Sequence, residues 1–391
     1  MGDPVVIVSA VRTPLGRFLG ELAPLSGPQL GAHVIREALG RGGVTRIDEV
    51  LMGCVLPAGQ GQAPARQAMR AAGLPDEVGA TTINKVCGSG MKAIMLGHDL
   101  ITSGSAETVM AGGMESMSNA PYLLTRARSG YRAGHDRIFD HMMLDGLEDA
   151  YEPGRPMGDF GEMAAQAYQF SRADQDEYAI ETLTRAQNAI AKGDFRAEIA
   201  PVSLGGKDGT RLIENDEHAR KVSLDRIPLL KPAFRPDGTI TAASASANAD
   251  GAAALVLMRR STAEREGLPV LAEIRGHATH AQAPAWYTTA PIPAIRKLLD
   301  RLEWSVEDVD LFEINEAFAV VAMAAAKELG IARARLNVYG GACALGHPIG
   351  ATGARIVVTL LHALIRRGER KGVAALCIGG GEATAIAIER P

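Results

Sequence analysis

The sequence predicts an α/β protein: largely parallel sheets covered by helices, arranged as two similar halves with a long segment inserted into the first. Three observations predict this. Short apolar runs alternate with segments of helical spacing at both ends of the chain. Three segments of the first third are echoed, in order, in the last third. The stretch between, residues 119–242, is richer in charge, glycine and proline and far too long for a simple connection.

The elements follow in order. Val5-Val6-Ile7-Val8 reads as a strand. Gly27 to Leu39 carries Leu30, Val34, Ile35 and Leu39 on one side and reads as a helix. Val50 to Val55 and Thr108 to Ala111 read as further strands, and Gly251 to Arg259 returns to the core as another. In the second half, Val270 to Ile274 is a strand. Pro291 to Leu302 is a helix with proline at its start and Ile295, Leu298, Leu299 and Leu302 on one face. Leu311 to Ile314 is a strand, Ala354 to Arg366 an amphipathic helix, and Val373 to Ile378 a buried strand. Within the insertion, Arg172 to Lys192 forms one clear amphipathic helix. The echoes are Ile47–Met52 with Val306–Leu311, Ser89–Lys92 with Thr352–Arg355, and Val109–Glu115 with Leu376–Glu382, at offsets of 259, 263 and 267. A slow drift of that kind is what small loop insertions after a duplication produce. The expected division is 1–118 with 243–268, an inserted 119–242, and 269–391.

Composition excludes several classes. The 391 residues are 47% hydrophobic and 22% charged, which rules out wholesale disorder. A net charge of −4 removes the electrostatic footprint of a nucleic-acid binder. Aromatics are 4% and glycines number 44, so the core must rest on small and branched aliphatic side chains with close backbone approaches. The cysteines, Cys54, Cys87, Cys343 and Cys377, are too far apart for a CxxC pair, and no metal site is expected from them. No signal-peptide pattern opens the chain, and no apolar run reaches the ~18 residues of a membrane span. The expectation is a cytoplasmic protein with no membrane partner.

Four segments carry chemistry. In Asn84-Lys85-Val86-Cys87-Gly88-Ser89-Gly90-Met91-Lys92, a cysteine precedes a helical pattern. Free N–H groups and the helix dipole there lower a thiol pKa and make a nucleophile; the alternative is a buried small hydrophobe. In Asn337 to Arg355, five glycines surround His347, either a general base or a structural histidine in a turn. Leu376-Cys377-Ile378-Gly379-Gly380-Gly381-Glu382 places a cysteine, able to act as acid or base, before glycines whose N–H groups suit an oxyanion. In Glu313-Ile314-Asn315-Glu316-Ala317-Phe318, Asn315 is either a helix N-cap or a water-positioning amide. Cys54 and Cys343 read as packing. Arg126, Arg128, Arg132, His135 and Arg137 form an anion-binding patch, a solvated face or a subunit contact.

Taken together, Val86–Gly90, Gly112–Ser118, Asn315–Phe318, Gly346–Gly350 and Cys377–Gly381 resemble the signatures of the thiolase (acyl-CoA acyltransferase) family, in the family's order. The resemblance runs from Val5 to Glu389. It implies a five-layer αβαβα fold with an inserted loop domain that binds coenzyme A and covers the site. It implies that Cys87 is acylated, that His347 activates it and later the CoA thiol, and that Cys377 moves the α-proton of the acetyl unit. It further implies one oxyanion hole from Asn315-held water with His347, and another from the backbone N–H groups of Cys87 and Gly379. Arg220, Phe234, Ser246 and Met157 resemble the family's CoA contacts. Coenzyme A and acyl-CoA then serve as substrates, with no tightly bound cofactor, and a homodimer or homotetramer is expected.

Departures from the family pattern fall on the acyl side: Pro156 before Met157-Gly158, Ser244-Ala245-Ser246-Ala247-Asn248-Ala249-Asp250-Gly251, and Tyr287-Thr288-Thr289-Ala290-Pro291. Two other readings compete. A decarboxylating ketoacyl synthase pairs its cysteine with two histidines, where this chain offers His347, Asn315 and Cys377. A non-catalytic acyl-CoA binder would lack Cys87 or His347. A Rossmann dehydrogenase needs GxGxxG after the first strand, where Ala10-Val11-Arg12-Thr13-Pro14 stands instead.

Overall fold

The computed structural model describes residues 2–206 and 209–391. Nine strands form one hydrogen-bonded path: β1 (Val5–Arg12), β2 (Glu49–Gly53), β3 (Gly79–Ile83), β4 (Thr108–Ser116), β5 (Ala249–Arg259), β6 (Ala272–Ala281), β7 (Leu311–Ile314), β8 (Lys371–Ile378) and β9 (Glu382–Glu389). Their spatial order is β7-β8-β9-β6-β1-β5-β4-β2-β3. The helices used below are α1 (Gly27–Gly42), α2 (Pro64–Ala71), α3 (Ser89–Ser103), α4 (Met157–Tyr168), α5 (Arg172–Lys192), α6 (Pro291–Leu302), α7 (Ala319–Leu329) and α8 (Thr352–Arg367).

The path divides into two sheets of one topology. In the first, β2 and β4 are parallel, while β4–β5 and β5–β1 are antiparallel. In the second, β7 and β8 are parallel, while β8–β9 and β9–β6 are antiparallel. The first sheet adds β3 at its edge, half-exposed and unpaired on its outer side. The sheets join where Val6 and Ile7 of β1 meet Glu273 and Ala272 of β6. The pairing is mixed rather than largely parallel, because the Gly379–Gly381 turn folds β9 straight back on β8 and the chain re-enters the first sheet antiparallel as β5.

Helices α3 and α8 lie between the sheets; α1 and α2 cover the outer face of the first, and α6 covers that of the second, with α7 packed beside it in the same apolar cluster. This is the αβαβα stack. Only one of the three echoes is in structural register: Ser89 and Thr352 each open a central helix. The third pairs Gly112-Gly113, inside β4, with Gly379-Gly380, in a turn after β8. The duplication is carried by topology, while that echo is a coincidence of glycine-rich sequence.

Local signals explain the helix bounds. Ser26 and Gln29 form a capping box at α1, and Gly43 closes it at φ 64°. Ser171 and Asp174 do the same at α5, which spans the expected Arg172–Lys192 and ends on Gly193 at φ 69°. Most strands run past their apolar runs, since small residues such as Gly112, Gly113 and Ala253 continue the ladder.

The two central helices meet at their N-terminal ends without side chains between them. A Cβ on Gly353 would lie 2.3 Å from the backbone nitrogen of Met91, and one on Gly90 would lie 2.8 Å from that of Ala354. We expect Gly353→Ala to lower the unfolding free energy by about 1–3 kcal/mol or more, since backbone must move to admit it. Gly40→Ala, in open space on α1, should leave stability unchanged or raise it by up to ~1 kcal/mol. Equilibrium denaturation of the two variants checks the contrast.

Candidate active site

The residues 84–89 form a tight elbow leading into α3. Lys85 N–H donates to Ser89 Oγ at 2.8 Å, and the Ser89 hydroxyl donates to the Val86 carbonyl at 2.6 Å. Val86 N–H donates to Asn84 Oδ1 at 3.0 Å. Val86 is held at φ 45°, a conformation that a β-branched residue rarely adopts. Lys85 forms an ion pair with Glu382, which ties the elbow to the start of β9. Gly88 permits close packing on Ile378 at the end of β8; a Cβ there would sit 2.3 Å from Ile378 Cδ1.

That contact brings Cys87 to the turn after β8. The backbone N–H groups of Gly379 and of Cys87 itself face the sulfur. Burial nevertheless pushes the Cys87 thiol up to about 11, against those two groups. The expected lowering by the helix terminus is therefore outweighed: desolvation wins, and the resting group is a thiol. Cys377, fully buried at the end of β8, is held well above the ordinary thiol range by burial and by the charge of ionised Cys87. The two sulfurs thus titrate against each other.

His347 is buried on the turn before α8. Its Nδ1 lies 2.6 Å from Thr352 Oγ1, whose own proton goes to the Pro348 carbonyl at 2.9 Å. A hydroxyl has one proton, so Nδ1–H donates to Thr352 and Nε2 keeps its lone pair. Nε2 is buried with no protein partner. Burial, reinforced by the Arg355 charge, lowers this imidazole to about 3, so it rests neutral. Thr352 was legible only as the start of a helix; a hydroxyl five residues after a histidine is too weak a pattern to mark it as the tautomer-setting group.

Asn315 follows β7, but the next helix begins at Ala319 with Phe318 at its cap, so the N-cap reading is excluded. Its side chain is buried and both amide atoms lack a protein partner. Its neighbour Glu316 is fixed by donors from Tyr178 (2.8 Å), Thr182 (3.0 Å), Asn337 Nδ2 (2.8 Å) and the Cys343 N–H (3.2 Å). The inserted helix α5 thereby pins the loop that carries Asn315. Cys343 packs in this cluster and Cys54 beside Glu115; burial raises both thiols.

A cavity of about 270 Å³ is lined by Met157, Phe234 and Ser246, together with Pro156, Asn248 and Phe318. Asn248 bridges to His347, whose N–H donates to the Ala247 carbonyl at 2.8 Å. Arg220 does not line it; its guanidinium donates to Glu21 at 2.9 Å and to the Asp216 carbonyl at 3.1 Å. Tyr287 is buried with its hydroxyl donating to the Met157 carbonyl at 3.0 Å, and its own ionisation is opposed by burial and by both Cys377 and Cys87. No helix among the described residues is long and apolar enough to cross a membrane.

The N-terminal domain model of the thiolase family matches residues 5–261, and its C-terminal domain model matches residues 268–390. An acetyl-CoA acetyltransferase of Pseudomonas aeruginosa is 48% identical over 390 residues, 99% of each chain. The crystal structure of the Bacillus anthracis acetyl-CoA acetyltransferase superposes with a TM-score of 0.96 at 43% identity, covering 100% of this chain and 99% of that one. A thiolase of Ascaris suum, solved in complex with coenzyme A, gives 0.94 at 42% identity, covering 99% and 100%. A duplicated sheet, central helices and a thiol elbow of this kind define a thiolase, and the chain belongs to that family. It is accordingly an acyltransferase, and neither the decarboxylating synthase nor the non-catalytic binder is favoured.

The resting thiol has a consequence that can be measured. Alkylation of Cys87 by iodoacetamide should rise about tenfold per pH unit from pH 7 to pH 9, because the thiolate fraction grows throughout that range when the pKa is near 11. A plateau reached by pH 7 would show a pre-formed thiolate instead.

Proposed function

We propose that this thiolase exchanges short acyl groups between CoA thioesters through an acyl-Cys87 intermediate, acting on acetyl-CoA and acetoacetyl-CoA. The observation that carries it is the convergence, at one spot, of the Cys87 sulfur, the N–H groups of Cys87 and Gly379, and a second thiol coupled to the first. The names of its relatives support the acetyl unit, and the CoA complex of the Ascaris suum enzyme supports CoA as the carrier.

In the first half-reaction, His347 Nε2 takes the Cys87 proton as sulfur attacks the thioester carbonyl. The carbonyl oxygen, now negative, lies against the backbone N–H groups of Cys87 and Gly379. Collapse expels the CoA thiolate, which recovers the proton from His347. One thioester is lost and one gained, so the step is close to thermoneutral. In the second, Cys377 passes its thiol proton to His347 Nε2, and the thiolate so formed removes an α-proton from an acetyl thioester. The enolate oxygen is stabilised by water held on the free Asn315 amide and by His347 protonated at Nε2. The carbon attacks acyl-Cys87, and Cys87 leaves as a thiolate that takes the proton from His347 Nε2, while Cys377 keeps the α-proton as its thiol. Thiolysis runs the same steps backward. Removing one oxyanion donor commonly costs ~10²–10³-fold in rate.

The segment 119–242 serves in this reading to bind CoA, with Met157, Phe234 and Ser246 along the pantetheine channel and Arg220 toward the nucleotide. The proposed compartment is the cytoplasm. The proposed assembly is a homodimer or homotetramer.

Cys87→Ala should abolish acetoacetyl-CoA thiolysis with the fold intact, and the wild-type Cys87 peptide should gain an acetyl group on incubation with substrate. Cys377→Ala should still exchange acyl groups slowly but lose deuterium wash-in at the acetyl α-carbon. Undiminished turnover in the first variant, or normal wash-in in the second, would count against the assignments.

Tyr287 is locked onto the carbonyl of Met157, a residue of the cavity wall, within electrostatic reach of both cysteines, and in this reading it limits the acyl chain to short lengths. Tyr287→Ala should raise kcat/KM for longer 3-ketoacyl-CoA relative to acetoacetyl-CoA by roughly 10-fold or more, the scale of a few methylenes in an apolar pocket. Steady-state thiolysis across chain lengths reads this directly.

A further inference from the structure

Away from the thiols, two elements from different halves bring metal-ligating side chains together. His98 and Asp99 lie toward the C-terminal end of α3, and His277 lies on β6. Asp99 Oδ1 is 2.9 Å from His277 Nε2 and 3.3 Å from His98 Nδ1. The two imidazoles meet edge to face with centroids 5.2 Å apart, and one donor atom from each of the three residues falls within 4.8 Å of the others. Ligands held ~2.0–2.1 Å from a tetrahedral zinc ion stand about 3.3 Å from one another, close to the spacing seen here. Among the described residues no other group of three histidine, cysteine or carboxylate side chains is gathered so closely.

We propose that His98, Asp99 and His277 bind a divalent transition cation of the zinc class, with two imidazole nitrogens and one carboxylate oxygen as ligands and water completing the shell. The donor set suits that chemistry: imidazole with one hard oxygen selects Zn²⁺, Cu²⁺ or Ni²⁺ over Mg²⁺ or Ca²⁺. The histidine side chains are 20% and 18% exposed and Asp99 is 51% exposed, which leaves a solvent side for water ligands and for entry of the ion. The positive Lys92 is the charge on α3 that acts against the ion. Sequence patterns miss such a site because the ligands are 178 residues apart. A bound ion would clip α3 of the first half to β6 of the second and stabilise the fold by mass action.

The test uses the full chain with Cys87→Ser, which removes the reactive thiol as a competing ligand. Equilibrium dialysis against Zn²⁺ should give one ion per chain. Asp99→Asn, a near-isosteric change on a half-exposed side chain, and His277→Ala should each weaken binding on the order of tenfold or more. Cobalt loading should give the visible bands of a four-coordinate ion with no thiolate charge-transfer absorption. Melting curves verify that both variants are folded. Absence of zinc binding at micromolar metal, unchanged affinity in Asp99→Asn and His277→Ala, or a cobalt spectrum with sulfur ligation would overturn the site.

Discussion

The structure depends on backbone meeting backbone where the two central helices begin. Side chains at Gly53, Gly90, Gly113, Gly350 or Gly353 would run into main-chain atoms within 2.2–2.9 Å. Their absence lets the loop before α8 lie on the start of α3 and on the ends of β2 and β4. The Gly350 N–H then donates to Glu115 on β4 at 2.8 Å, and that buried carboxylate also collects the N–H groups of Val55 and Leu56. The Cys87 elbow and the His347 turn are therefore held by the same contact. Cys87 and His347 are thus positioned by the most closely packed part of the protein.

The inserted segment is held by buried charge. Arg12, fully buried on β1, pairs with Glu198 and makes a bidentate contact to Asp216 at 2.7 and 2.9 Å. Glu316 fastens α5 in the same manner through hydroxyl and amide donors. Removing one partner of such an arrangement leaves an unpaired charge in a dry environment, which typically costs 3–5 kcal/mol, so these networks specify one docking geometry. Asn315 is the beneficiary. Its peptide N–H is bound to the Ala375 carbonyl at 3.0 Å, its neighbour is clamped, and its amide alone is left open to a water or ligand.

Much of this was legible in the sequence, for identifiable reasons. Strong periodicity marked α5 and α6 to the residue, with a capping box and a terminal glycine bounding α5 and a first-turn proline opening α6. Helix α8 was recognisable by its apolar face, and the elbow by its glycines. Pairing direction was not legible, because an apolar run does not say which way its neighbour points, and the tight Gly379–Gly381 return is indistinguishable from an αβ turn in sequence. Asn315 had two local readings, which only the position of Ala319 separates. The Cys87 protonation state ran opposite to the helix-terminus argument, since burial by residues distant in sequence is invisible to a local motif. Tyr287 showed as a departure from a family pattern, but its bond to the Met157 carbonyl needed the fold.

Val86 carries an implication for anyone seeking a hardier version of this enzyme. A branched residue kept at φ 45° is an obvious target for relaxation, and glycine there would ease the backbone. Yet the same torsion aims the next residue's sulfur at the β8 turn. Gains in melting temperature won at that position would come with a Cys87 thiol no longer aimed at that turn, so robustness is better sought on distant surfaces such as the exposed face of α1.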